Sequence, residues 1–227
     1  MGCFATRETA GHSVSMRAQM RLVPKHMELH YFDLYGRAEV IRMVLHYLHL
    51  NFSDHRFGAE EWVQLKPTFE FQDCPVLEVD GKKLSTTRAI LRYLCMTNGL
   101  YPSGLEEVYW CESLCDFVDD ICLPLIDAAR TSDIEMLLKA KNALPERLQM
   151  VEKRLLRNKE GKAYFIGSAV TMADFMVFNL LWDHCLSPDR RDDLEAQVPR
   201  LLKLFATKMM ENTALKDYVD SRRPKPY

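Results

Sequence analysis

The hydrophobic period of this chain changes once, and the change divides it. Up to Tyr101, alternating aromatic-rich segments interleave with helical ones; after Tyr101-Pro102-Ser103-Gly104 only helical spacing remains. Alternation at two residues gives a pleated strand one apolar face, whereas recurrence near 3.6 residues lays a stripe along a helix. A chain with both, in that order, must build a mixed sheet-and-helix unit first and an all-helical one second.

In the first unit, Glu28-Leu29-His30-Tyr31-Phe32 alternates and reads as a strand, and Gly36 breaks it. Ile41, Val44, Leu45 and Leu48 then follow as a helical stripe. Asn51 to Phe57 can return as a second strand, and Glu60 to Lys66 reads as a short helix stopped by Pro67. Pro75-Val76-Leu77-Glu78-Val79 is a third strand. Asp80-Gly81 is a two-residue hairpin turn, and Lys82-Lys83-Leu84 opens a fourth strand. Thr86 or Thr87 is placed to cap the next helix, whose stripe is Ile90, Leu91, Leu94 and Cys95; Asn98-Gly99 ends it. The order β-α-β-α-β-β-α predicts an α+β, thioredoxin-like domain over residues 27–101. The redox form of that layout carries Cys-x-x-Cys after the first strand. Here Asp33-Leu34-Tyr35-Gly36 stands there, which excludes disulfide exchange as the chemistry.

Residues 104–227 predict an all-helical domain. Val108, Cys111, Cys115, Val118, Cys122 and Leu125 form one long stripe, and a second helix runs from about Glu135 to Asn158. Thr171-Met172-Ala173-Asp174 has capping-box spacing before the apolar run Phe175 to Trp182. Leu201, Leu202, Leu204, Phe205 and Met209 mark a further helix, and Pro224 and Pro226 end the chain in an extended tail.

The net charge of −2 over 227 residues offers no electrostatic footprint for nucleic acid. No apolar run approaches the roughly 20 residues that span a bilayer. Seven cysteines, an odd number without a Cys-x-x-Cys pair, suit a reducing, cytoplasmic setting with cysteine as a small core residue. Residues 1–26 show little hydrophobic periodicity. Arg7, Arg17, Arg21 and Lys25 face one acid, Glu8, and a disordered arm without a signal-peptide core is expected. Its first residues, Met1-Gly2-Cys3-Phe4-Ala5-Thr6, fit a pattern for acylation at Gly2 and Cys3, which would tether the chain to a membrane.

Four segments, in order and at matching spacing, resemble the sigma-class glutathione transferases. They are Leu29-His30-Tyr31-Phe32, Gly36-Arg37-Ala38-Glu39, Glu61-Trp62 with Leu65-Lys66-Pro67, and Pro75-Val76-Leu77-Glu78-Val79-Asp80-Gly81. The resemblance covers about Met27 to Pro224. It implies a homodimer that uses glutathione as co-substrate, without a metal, to attack small hydrophobic electrophiles, with isomerase or peroxidase side activity open. The alternative it leaves is a catalytically weak glutathione binder or a structural, crystallin-like protein.

Such chemistry needs a thiolate. A free thiol titrates near pH 8.5, and lowering it by two units takes about 2.7 kcal/mol of differential stabilisation. One or two charge-assisted hydrogen bonds at a partly dry site suffice. Tyr31 ends a strand just before a helix start, where the dipole also favours an anion. By resemblance Tyr31 is the hydroxyl donor to the sulfur, and Arg37 adds positive field. Phe32 beside Tyr31, Trp62 and Lys66 toward the glycyl end, Cys74 before a cis Pro75 for the cysteinyl backbone, and Asp73, Thr86 and Thr87 complete the implied glutathione site. Thr86-Thr87 stands where the family usually has Gln-Ser, Asp73 where it often has lysine, and Gln72 where it often has glycine. Asp116, Asp119 and Asp120 match an acidic group at the family's dimer interface; Asp120 would reach the γ-glutamyl ammonium of the other subunit, and a divalent ion binds this group in some relatives. The electrophile is expected between the domains, against Cys111, Cys115, Cys122, Leu123 and Leu125.

Overall fold

The computed structural model describes residues 24–185 and 191–222. The acylation motif, nearly all of the expected arm and the Pro224–Pro226 tail lie outside the described residues. The first domain runs β1 (Met27–Phe32), a 3-10 turn, α1 (Glu39–Tyr47), β2 (Ser53–Phe57), α2 (Ala59–Leu65), β3 (Val76–Val79), β4 (Lys82–Ser85) and α3 (Thr87–Thr97). The second comprises α4 (Leu105–Thr131), α5 (Ile134–Leu156), α6 (Met172–His184), α7 (Arg191–Gln197), a π turn over Arg200–Phe205, α8 (Ala206–Met209) and α9 (Thr213–Ser221).

The sheet order is β2-β1-β3-β4, with β1 parallel to β2 and both other pairings antiparallel. This is the thioredoxin-like arrangement read from the segment order. Leu29 and Tyr31 turn one side of β1 into the core with Ile41, Val44 and Leu45 of α1 and Ile90 and Leu94 of α3. Phe32 faces the other side, where Trp62 of α2 lies 5.4 Å from it and stacks on Phe57 at 5.5 Å. The register is strict because a one-residue slip would move this apolar set into water.

In the helical domain the stripe of α4 is buried from Cys111 to Ala128, though Val108 at its start is only partly covered. Thr171 and Asp174 form the expected capping box at the head of α6, which is buried almost throughout. The six described cysteines form no disulfide and are buried, as small core residues. No described helix is long and apolar enough to cross a membrane.

α9 returns to the first domain. Glu39, wholly buried at the start of α1, accepts from the Tyr218 hydroxyl at 2.8 Å and from Arg222 Nη1 at 2.6 Å. Its other oxygen accepts from Arg42 Nη1 at 3.2 Å. These bonds join residues near both ends of the described chain and fix the helix that begins at the site.

Candidate active site

β1 carries Tyr31 to the end of the sheet, where the chain turns at Gly36. The turn and the tyrosine determine each other. Gly36 has φ +45°, and a Cβ there would lie 2.7 Å from the Tyr31 hydroxyl. Glycine is required both for the left-handed backbone and for the close approach. The hydroxyl is thereby held against the turn and accepts the Arg37 backbone N–H at 3.1 Å. A phenol oxygen that accepts from an amide still has its own proton to donate elsewhere.

Tyr31 borders a cleft of about 790 Å³ between the domains, shared with Phe32, Arg37, Trp62, Lys66, Asp73 and Cys74. A second lobe of about 330 Å³ runs past Arg37 and Cys74 to Thr86, Thr87 and Arg88. The fold therefore gathers Tyr31, Phe32, Arg37, Trp62, Lys66, Asp73, Cys74, Thr86 and Thr87 around two adjoining hollows that share Arg37, Asp73 and Cys74 in their walls. Pro75 is buried and lines neither lobe; its peptide bond with Cys74 is cis, as expected. Asp120 is exposed and borders neither lobe.

Arg37 spans the mouth. Its Nη2 donates to Asp73 at 3.0 Å and to the Cys74 carbonyl at 2.9 Å. Burial opposes the charge on Arg37, but the hydrogen bond and charge of Asp73 outweigh it and hold the guanidinium above its ordinary range. Asp73 Oδ1 also accepts the Cys74 N–H at 2.8 Å. Both backbone groups of Cys74 that the resemblance assigns to an incoming peptide are thus already paired within the protein. Burial, then the charge of Asp73, push the Cys74 thiol up to about 12 in spite of Arg37. It remains protonated at neutral pH and is no nucleophile.

At the other lobe the expected threonine cap does not form. The Thr86 side chain bonds no helix N–H, because its backbone, at φ 69° and ψ 130°, departs from the extended geometry that aims a cap at the first turn. A non-glycine residue with positive φ beside a cleft is the kind of local strain that concentrates at binding sites. Thr87 instead donates its hydroxyl to the Arg37 carbonyl at 3.3 Å. Arg88 pairs with Asp119 at 2.9 Å, Asp116 at 3.0 Å and Glu112 at 2.6 Å. Two of the three aspartates considered for a divalent ion therefore face a guanidinium.

The apolar wall also differs from expectation. Cys111, Cys115 and Leu125 pack into the helical core and border neither lobe, while Cys122 and Leu123 do. Cys111, Cys115 and Leu125 turn away from the cleft, while Val118 and Cys122 of the same stripe border its smaller lobe; the adjoining face, with Leu123, Ile126 and Arg130, lines the larger one. Those three sit at i, i+3 and i+7, a spacing legible in the sequence once the facing direction is known. Leu34, Phe71, Arg88 and Arg130 also line the cleft; as single exposed or charged positions outside any motif, they carry no signal in the sequence.

Comparison with known proteins agrees with this architecture. Residues 27–95 match the family model described as glutathione S-transferase, N-terminal domain, and residues 124–222 the corresponding C-terminal domain. The chain is 33% identical over 203 residues to glutathione S-transferase 2 of Manduca sexta, covering 87% of this chain and 97% of that protein. It is 32% identical over 183 residues to the haematopoietic prostaglandin D synthase of Gallus gallus, covering 78% and 87%. A monomeric glutathione S-transferase of the hookworm Necator americanus superposes with a TM-score of 0.76 at 27% identity, covering 89% of this chain and all of that one. The two domains in order, the tyrosine at the cleft and these relatives place the chain in the glutathione S-transferase family.

Proposed function

We propose that the chain is a glutathione transferase that conjugates the thiolate of glutathione to small apolar electrophiles. The observation that carries the reading is the Tyr31 hydroxyl. It is anchored by the Arg37 N–H at 3.1 Å and set at the cleft with its own proton to give. Donated to sulfur, that proton favours the anion over the thiol and lowers the thiol's pKa. The protonated Cys74 thiol does not compete as nucleophile. Trp62, Lys66 and Arg130 suit the glycyl carboxylate, and Thr86, Thr87 and the start of α3 the γ-glutamyl end. Leu123 and Ile126 give the electrophile an apolar wall.

A homodimer would bring Asp120 of a second copy toward the γ-glutamyl ammonium, in keeping with its exposure. Six buried thiols fit a reducing compartment. The test is titration of the protein with glutathione near neutral pH, followed by thiolate absorbance. Saturable ionised glutathione supports the enzyme.

A second reading has one specific observation behind it: Arg37 and Asp73 occupy the Cys74 carbonyl and N–H. A site whose peptide-docking groups are self-paired would hold glutathione weakly, as a carrier or structural protein does. Retention on immobilised glutathione without thiolate absorbance would favour that reading.

A further inference from the structure

We propose that Glu28, His30 and His55 form a zinc-binding site on the face of the sheet opposite the core, behind the strand that carries Tyr31. The three residues each bring one ligand atom within 4.8 Å of the others. They come from adjacent strands in parallel register, His30 lying directly beside His55. The two Nδ1 atoms are 3.2 Å apart, and Glu28 Oε1 is 3.6 Å from His55 Nδ1. Two nitrogens bound at about 2.0–2.1 Å to one tetrahedral Zn²⁺ lie about 3.3–3.4 Å apart, so this spacing is the one such an ion requires.

The proton positions point the same way. Glu61 Oε1 is 2.7 Å from His55 Nε2, which fixes the proton on Nε2 and turns the bare Nδ1 lone pair toward His30. His30 is 7% exposed, and its Nε2 has no hydrogen-bond partner. As a neutral ring without a metal ion, His30 either donates from Nδ1 to His55 or keeps its proton on Nε2. The first choice leaves a buried Nε2 lone pair facing only Glu28 at 3.8 Å and Glu78 at 3.9 Å. The second points two Nδ1 lone pairs at each other across 3.2 Å. A metal ion between the rings resolves both: each Nδ1 ligates, and each Nε2–H faces carboxylate, Glu61 for His55 and Glu28 with Glu78 for His30.

Charge adds an independent reason. Glu28 and Glu78 are directly opposite in the antiparallel register of β1 and β3, an arrangement that is unfavourable for like charges. With Glu61 they make three carboxylates, against which the sheet sets Lys83, opposite Glu78 on β4. A divalent ion on this face offsets the excess. Two imidazoles and one carboxylate with an open fourth position for water select zinc over calcium or magnesium, whose ligands are oxygen alone. The bound ion would staple β2 to β1.

The test uses the full chain stripped of metal and titrated with Zn²⁺ by calorimetry. One equivalent should bind and raise the thermal midpoint, and Co²⁺ should give tetrahedral visible bands without thiolate charge transfer. His55→Gln should abolish uptake, Glu28→Gln should weaken it, and Glu61→Gln, which removes the orienting carboxylate, should weaken it about 10- to 100-fold. Glu28→Gln and Glu61→Gln alter partly exposed side chains, so the result does not depend on His55→Gln folding. No saturable uptake by the wild type, uptake unchanged in Glu28→Gln and His55→Gln, or a thiolate band marking a cysteine site would each overturn the proposal.

Discussion

The guanidinium of Arg37 holds the Asp73 carboxylate at 3.0 Å across the mouth of the cleft. The same carboxylate oxygen takes the Cys74 N–H at 2.8 Å. An incoming peptide must displace both contacts. Because the pair is partly exposed, with side chains 38% and 55% accessible, it is a modest obstacle of up to about 1 kcal/mol. Asp73→Ala is therefore expected to lower KM for glutathione by up to about fivefold, with kcat little changed. Initial rates over a glutathione series check this; an unchanged KM would show that the pair is no obstacle, and a higher one that Asp73 assists binding.

Glu39 depends on Tyr218 and Arg222 from the far end of the chain. Tyr218→Phe removes one donor to a buried carboxylate and is expected to cost about 1–3 kcal/mol. Arg222→Ala is expected to cost about 3–5 kcal/mol, because it leaves both Glu39 and Asp183 buried without this partner. Urea unfolding of the three proteins measures the order. Equal midpoints for wild type and Arg222→Ala would mean that α9 does not hold the first domain.

Glu112 joins the two domains. It accepts from Arg92 Nε at 2.8 Å, Arg88 Nη2 at 2.6 Å and the Tyr101 hydroxyl at 2.6 Å. The Arg92 hydrogen bond, then those of Tyr101 and Arg88, overcome burial and hold its carboxyl down at about 2 from an ordinary 4.5. A folded-state value below the unfolded one means that this stabilisation is complete above about pH 4.5. It shrinks as pH falls through that interval and is gone below about pH 2. Glu112→Gln should lower the thermal midpoint at pH 7 and flatten its acid dependence between those limits. A parallel shift of the whole curve would rule out Glu112 as the titrating group.

Asp174 accepts three bonds while wholly buried: Phe165 N–H at 2.9 Å, Thr171 N–H at 2.7 Å and Thr171 Oγ1 at 2.8 Å. Asp174→Ala strands these donors as well as the helix start and should cost about 3–5 kcal/mol. Asp174→Asn, which keeps an acceptor, should recover part of it. Equilibrium denaturation gives the comparison, and equal loss in both variants would show that charge, not hydrogen bonding, matters.

Much of this molecule is legible in the residue pattern, and the exceptions are physical. The alternation around Tyr31, the Asp80-Gly81 hairpin and the Thr171–Asp174 box are local signals, and each element forms where its signal lies. Val76 to Val79 and Ile41 to Leu45 likewise reveal their buried faces. The facing of α4 is not local: the cysteine stripe is apolar whether it meets the bundle or the cleft, and only packing assigns Cys111 and Cys115 to the bundle and Cys122 to the cleft's smaller lobe. The Arg37–Asp73 pair is hidden because 36 residues separate its members. The meeting of His30 with His55 follows from parallel register, which single-strand patterns do not carry. Thr86 reads as a cap because its side chain suits one, but the backbone conformation needed at the cleft overrides that propensity.

The most direct measurement is conjugation of glutathione to an aromatic halide by wild type and Tyr31→Phe, with both shown to be folded by circular dichroism. Loss of one positioned donor to the developing sulfur anion is expected to lower kcat/KM about 100-fold at neutral pH. It should also return the thiol of bound glutathione toward its free pKa. A Tyr31→Phe protein that conjugates as fast as wild type, with the same bound thiolate, would contradict the assignment of this hydroxyl.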